Sequence, residues 1–230
     1  MSTIVTYNRL VAPNVDGSGG PVKYFNDFNG ESDAAFFTVS DFAIAAGENG
    51  IFKNADGLDV SSAISSVLNS PNLSKEGDYI AFAVRARMTA QTNGDDAYFG
   101  LGDAAAVSTS LSHGLAFALT QAAAASGDTV IGAFDDNNVE NDTPVITISD
   151  IIEDWDSTEY HVYSAEVKVA GGVLSAQFYI DGKPLASKRR LGAAVGSHQF
   201  DAARLGLFFY QAASTSLLQV DWVSYEATRK

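Results

Sequence analysis

From residue 79 to residue 89 the side chains alternate in character without a break, with Ile80, Phe82, Val84, Ala86 and Met88 standing against Ala81, Ala83, Arg85 and Arg87. A period of two puts successive side chains on opposite faces of an extended chain, whereas a helix would scatter the same residues around its axis. The segment is expected to be a strand with one face in a core and two arginines on the other.

The same pattern recurs downstream. His161, Tyr163, Ala165, Val167 and Val169 share one face, Gly171-Gly172 supplies a turn, and Leu174, Ala176, Phe178 and Ile180 return. Asp181-Gly182 marks a second tight turn, since both residues tolerate the positive φ that a two-residue hairpin needs. Residues 204–211 and 217–226 read as two further strands, the last alternating Leu218, Val220 and Trp222 against Gln219, Asp221 and Val223. Short β-type runs punctuated by Gly, Asn, Asp and Ser recur through most of the chain, about a dozen in all, as in an antiparallel sandwich. One short helix is expected where Asp59 caps Ala63, Ile64, Val67 and Leu68 at helical spacing before Asn69-Ser70-Pro71. Residues 121–125 favour helix by composition, but they lie between strand-like runs and read as a loop.

At 230 residues the chain fits one sandwich, and 14 Phe with 9 Tyr supply ample apolar surface for its core. The Gly-rich stretch Asp16-Gly17-Ser18-Gly19-Gly20-Pro21 separates residues 1–20, an N-terminal arm or a first strand, from a sandwich domain over 21–230. With no cysteine, disulfides, zinc-thiolate sites and thiol catalysis are excluded. A net charge of -14 repels phosphate backbones and anionic lipid, so nucleic acid and membrane surfaces are not expected partners. No stretch approaches the roughly 20 apolar residues of a membrane span, and no basic segment followed by an apolar run opens the chain. The expected setting is a cytoplasm or a virion, with the mature chain starting at Met1.

Two segments carry a family resemblance. Glu159-Tyr160-His161-Val162-Tyr163, followed after a Gly turn by Gln177-Phe178-Tyr179-Ile180-Asp181-Gly182-Lys183-Pro184, resembles the hairpin of laminin G-like, legume-lectin-like and family 16 glycosidase sandwiches. Val220-Asp221-Trp222-Val223-Ser224-Tyr225 is similar to the closing strand of the same superfamily. The resemblance implies a concanavalin A-like, all-β, two-sheet antiparallel jelly roll; it identifies a fold rather than an activity.

The enzymes of this superfamily leave signatures that can be sought. The glycosidase strand E-x-D-x-x-E, which sets nucleophile and acid about 5.5 Å apart on one face, has no counterpart here. Glu153-Asp154-Trp155-Asp156 and Asp135-Asp136 are acidic, but they sit in expected loops. Arg85, Arg87 and Tyr210-Gln211 correspond in part to two strands of alginate-lyase-like sites, and the third, Gln-x-His, is missing. His161 falls on the core face of its strand, and His113 and His198 fall in loops, so all three read as structural or solvated. No G-x-S-x-G elbow and no phosphate-binding loop appears. The expected protein is not an enzyme.

Binding candidates remain. Asp135, Asp136, Asn138, Glu140 and Asp142 crowd hard oxygen ligands into one loop, which makes calcium the candidate ion, although the spacing is not that of an EF-hand and a solvated acidic loop is the plainer reading. A sugar site pairs aromatic faces with hydrogen-bonding groups, and its candidates are Arg85, Arg87, Tyr98, Trp155 and Tyr210. Lys183 and Lys188-Arg189-Arg190 form a basic patch in an acidic chain, either a solvated hairpin tip or a contact for another subunit. Two functional classes follow. The first is a phage virion component, a capsid decoration or tail protein that docks on protein subunits or forms a homo-oligomer. The second is a soluble carbohydrate-binding module or lectin, with a polysaccharide hydrolase or lyase as the remote third.

Overall fold

The alternation at residues 79–88 forms a ten-residue strand whose burial switches at every residue, with Ile80, Phe82, Val84, Ala86 and Met88 inward. A computed structural model describes residues 22–28, 37–40, 42–44, 51–54, 61–65, 76–90, 96–102, 114–120, 129–131, 146–148, 151–185, 189–190, 206–211 and 216–227. The arm or linker expected over residues 1–20 lies outside them.

In chain order the strands are β1 (Val22–Asn26), β2 (Phe37–Ser40), β3 (Phe42–Ile44), β4 (Phe52–Asn54), β5 (Ser61–Ser65), β6 (Tyr79–Met88), β7 (Asp96–Gly102) and β8 (Gly114–Thr120). They continue as β9 (Thr129–Ile131), β10 (Ile146–Thr147), β11 (His161–Ala170), β12 (Val173–Ile180), β13 (Lys183–Pro184), β14 (Arg189–Arg190), β15 (Gly206–Gln211) and β16 (Leu218–Ala227). The first sheet runs β13-β12-β11-β6-β16-β4-β3, with β1 added to β16 and β14 to β12. The second runs β10-β9-β8-β7-β15-β5-β2. Every strand pair described is antiparallel, as expected of a two-sheet jelly roll.

The inner faces meet in one aromatic-rich core. Phe117 of β8 lies edge-on to Phe82, Tyr163 and Phe178 of the first sheet and stacks on Phe99 of its own sheet, with centroids 5.2–6.2 Å away. Edge-to-face and offset arrangements suit the ring quadrupoles, so one side chain couples three strands of the opposite sheet. The turns are those the sequence demands: Gly171 and Gly172 at φ 61° and 70°, and Asp181 and Gly182 at φ 50° and 75°.

Two expectations are corrected. The helix expected around Ala63 and Ile64 is strand β5, hydrogen-bonded on both sides, with Ala63 facing Phe209 of β15 and Val39 of β2. Two neighbouring strands satisfy its backbone groups, and tertiary pairing outweighs the weak helical spacing. Asp59, Val67 and Leu68 lie outside the described residues.

The second correction concerns Trp222. Register slips at Val220/Trp222, where Val220 faces Ala86 and Trp222 faces Arg85, leaving Asp221 as an extra residue. A bulge of one residue inverts every side chain beyond it. Trp222 therefore turns outward, while Val223 and Tyr225 enter the core.

Tyr225 is 2% exposed, and its hydroxyl has no hydrogen-bond partner among the described residues. Burial alone pushes its phenol above the usual tyrosine range. An unsatisfied buried hydroxyl costs about 1–3 kcal/mol. Tyr225→Phe is therefore expected to raise the melting temperature by about 2–4 °C, whereas Phe117→Ala is expected to cost about 3–5 kcal/mol in chemical denaturation.

Candidate functional site

Antiparallel register lines up the outward residues of the first sheet in rows across its strands. One row reads Tyr179, Ser164, Ala83, Ser224 and Phe25 from β12 to β1. The next reads Gln177, Glu166, Ala81 and Glu226 from β12 to β16. The middle of both rows is small or short, so the sheet surface sinks between an aromatic on β12 and the pair Phe25 and Trp222, whose rings lie 6.0 Å apart. The result is a cleft of about 740 Å³ with Tyr179, Phe25 and Trp222 at its sides and Glu166 and Glu226 in its lining. Four strand spacings separate Tyr179 from Phe25, roughly 19 Å, which suits an extended ligand crossing the strands.

Above the cleft the two arginines expected in a site are side by side, and both are engaged. Arg85 pairs with the bulged Asp221, and the Arg87 Nε donates to Gln219 Oε1 at 2.9 Å. Both guanidinium carbons lie over the Tyr160 ring, at 4.5 and 4.6 Å from its centre. Burial pushes the Tyr160 phenol up, against the pull of the arginine charges.

Tyr160 is delivered by the loop that carries Trp155. That indole, expected to be a sugar platform, is 6% exposed and belongs to the core. It lies 4.4 Å from the His161 ring and edge-on to Tyr163. Its face is used in anchoring the loop, because an apolar ring on a short connection is worth more buried than solvated. The anchor is reinforced by polar contacts. Asp156 accepts from the Thr158 N–H at 2.8 Å and hydroxyl at 2.7 Å, which holds its carboxyl below the usual range. His161, half-buried at the start of β11, reaches the Asp156 carbonyl at 3.0 Å and the Asp181 carboxylate at 2.7 Å, which ties the loop to the turn after β12.

Tyr98 and Tyr210 are register partners with rings 5.9 Å apart, but they stand on the other sheet. There Tyr98, Ala116, Ala118 and Phe208 form a second buried cluster, against which Tyr210 packs. The five expected sugar contacts thus divide into an arginine pair, a tyrosine pair and a core tryptophan. Sequence reasoning missed Phe25, Tyr179, Glu166 and Glu226. For Tyr179, Glu166 and Glu226 the signal was present in the outward positions of strands that were read for their cores; Phe25 lies on β1, which the sequence reading did not single out.

Asp135, Asp136, Asn138, Glu140 and Asp142 lie outside the described residues, as does Lys188; Lys183 is exposed. Among the described residues no group of His, Cys, Asp and Glu is arranged to hold a metal. No helix among them is long and apolar enough to cross a membrane.

No protein-family model matches the chain, and no curated protein matches it. Solved structures do. An endo-1,3-beta-glucanase from Streptomyces sioyaensis superposes with TM-score 0.63 at 10% identity, over 92% of this chain and 98% of its own. The metal-free Emp46p carbohydrate recognition domain gives 0.59 at 13% identity, over 87% and 93%. Peanut lectin gives 0.53 at 12% identity, over 90% and 97%. The fold is the concanavalin A-like lectin and glucanase jelly roll, and at these identities the likeness extends to the fold alone.

At the lower end of the cleft the Tyr79 hydroxyl donates to Glu226. Burial first, then that hydrogen bond and the Glu226 and Glu166 charges, push the Tyr79 phenol up to about 12. A raised folded pKa favours the protonated phenol, so this contribution to stability is present below about pH 10, the unfolded value. It is lost as pH rises toward 12. A spectrophotometric titration of the protein minus that of Tyr79→Phe is expected to show one phenol ionising near 12. In Glu226→Gln the midpoint is expected to return only part of the way, because burial is the larger cause.

Proposed function

We propose that this domain is a non-catalytic glycan-binding module and that it binds through the outer face of the first sheet. The observation that carries the reading is the cleft itself: aromatic side chains at two ends, a floor of Ala81, Ala83, Ser164 and Ser224, and carboxylates in the lining. Sugar rings present flat C–H faces that stack on aromatics, while their hydroxyls need acceptors and donors at the margins. A length of several strand spacings suits an oligosaccharide chain better than a single sugar.

The lectin and glucanase structures of the same fold support a carbohydrate ligand without deciding between binding and hydrolysis. The absence from the sequence of the alternating carboxylate strand favours binding. The capsid-decoration or tail role expected from the sequence rests on composition and missing catalytic motifs, and the cleft favours the glycan over a protein subunit.

Affinity electrophoresis through gels containing neutral and amino polysaccharides tests the reading. Trp222→Ala and Tyr179→Ala are each expected to weaken retardation about tenfold, equivalent to about 1.4 kcal/mol, with unchanged melting. No reducing ends should be released on prolonged incubation. Retention that survives both substitutions and is lost in Tyr210→Ala would move the site to the second sheet, and release of reducing ends would make the protein an enzyme.

A further inference from the structure

Among the described residues the charges that line the cleft are one-sided. Its described lining holds two carboxylates, Glu166 and Glu226, and no lysine or arginine. The nearby arginines are committed to Asp221 and Gln219. Glu226 already accepts from the Tyr79 hydroxyl through one oxygen, so Glu166 is the carboxylate with the greater acceptor capacity left for a ligand. Glu166 is half-buried on β11, between Ala81 and Gln177 across the sheet, and no cation pairs with it among the described residues. Lys168, two residues along the same face, is not part of the lining.

A half-buried carboxylate in a chain of net charge -14 gains most from a cationic partner, because a charge-assisted hydrogen bond is about twice as strong as a neutral one. Anionic polysaccharides meet repulsion at the same place. The aromatic flanks narrow the choice of cation. They suit stacked sugar rings, whereas an extended basic peptide is usually held by main-chain bonds at a sheet edge. The backbone groups of this face are spent inside the sheet. Resting on the glycan-binding reading above, we infer that the cleft selects an oligosaccharide containing free amino sugars, with the ammonium group held by Glu166 and the rings stacked on Tyr179 and Trp222.

The test is isothermal titration calorimetry with β-1,4-linked glucosamine oligomers and their N-acetylated counterparts, below the pKa of the sugar amine. The free-amine oligomer is expected to bind about tenfold tighter, with a preference that shrinks as salt is raised. In Glu166→Gln, checked for unchanged melting, the ratio of the two affinities is expected to fall toward one. In Glu153→Gln, which removes the same charge from an exposed loop position outside the lining, the ratio should persist. Equal affinities for the two oligomers, or a preference that survives Glu166→Gln, would overturn the inference while leaving glycan binding intact. Oligolysine binding as tightly as the amino sugar would overturn the choice of a sugar. Failure of every glycan to bind would overturn the functional reading and this inference together.

Discussion

One extra residue in β16 governs what the first sheet presents to solvent. Without the bulge at Asp221, strict alternation would send Trp222 into the core with Leu218 and Val220, and would bring Val223 and Tyr225 to the surface. With it, a tryptophan stands beside Phe25, and Ser224 takes its place in the cleft floor. The displaced residue is used as well. Asp221 reaches Arg85 on the neighbouring strand, so the irregularity that reverses the register also neutralises a cation that would otherwise face the cleft.

The bulge can do this because the rest of the sheet is held in register. β6 is paired along its length by β11 on one side and β16 on the other. Its inner face is locked by contact with Phe117 from the opposite sheet. A one-residue slip of β6 would push that apolar set into water and bring both arginines into the core, a cost of several kcal/mol for the side chains exchanged. The loop anchored by Trp155 and His161 adds the last element, closing Tyr160 over the arginines so that their charge is shared with a ring and two side-chain acceptors.

What could be read from the sequence follows from how local each determinant is. The faces of β6 and of the β11–β12 hairpin were legible because period-two alternation and the Gly-Gly and Asp-Gly turns are written within a few residues. β5 was not, because Ser-Ser-Ala-Ile-Ser is short and its strand identity comes from β2 and β15, both distant in the chain. The bulge was invisible for a related reason: Val220-Asp221-Trp222-Val223 is compatible with either register, and only pairing with β6 decides. Aromaticity and charge found Arg85, Arg87, Tyr98, Trp155 and Tyr210 as candidates, but could not say which sheet each belonged to or that Trp155 was an anchor. The cleft residues are distributed over β1, β6, β11, β12 and β16, and only register brings them together.

The central claim is that the outer face of the first sheet, shaped by the bulge, is the binding surface. Backbone amide shifts of isotopically labelled protein, followed by NMR during titration with a glucosamine oligomer, test it most directly. The expected result is a set of saturable shifts centred on Ala81, Ala83, Ser164 and Ser224, with little change at Ala116 and Ala118 of the second sheet. Shifts centred on Tyr98, Tyr210 and Ala116, with the first sheet unmoved, would contradict the account.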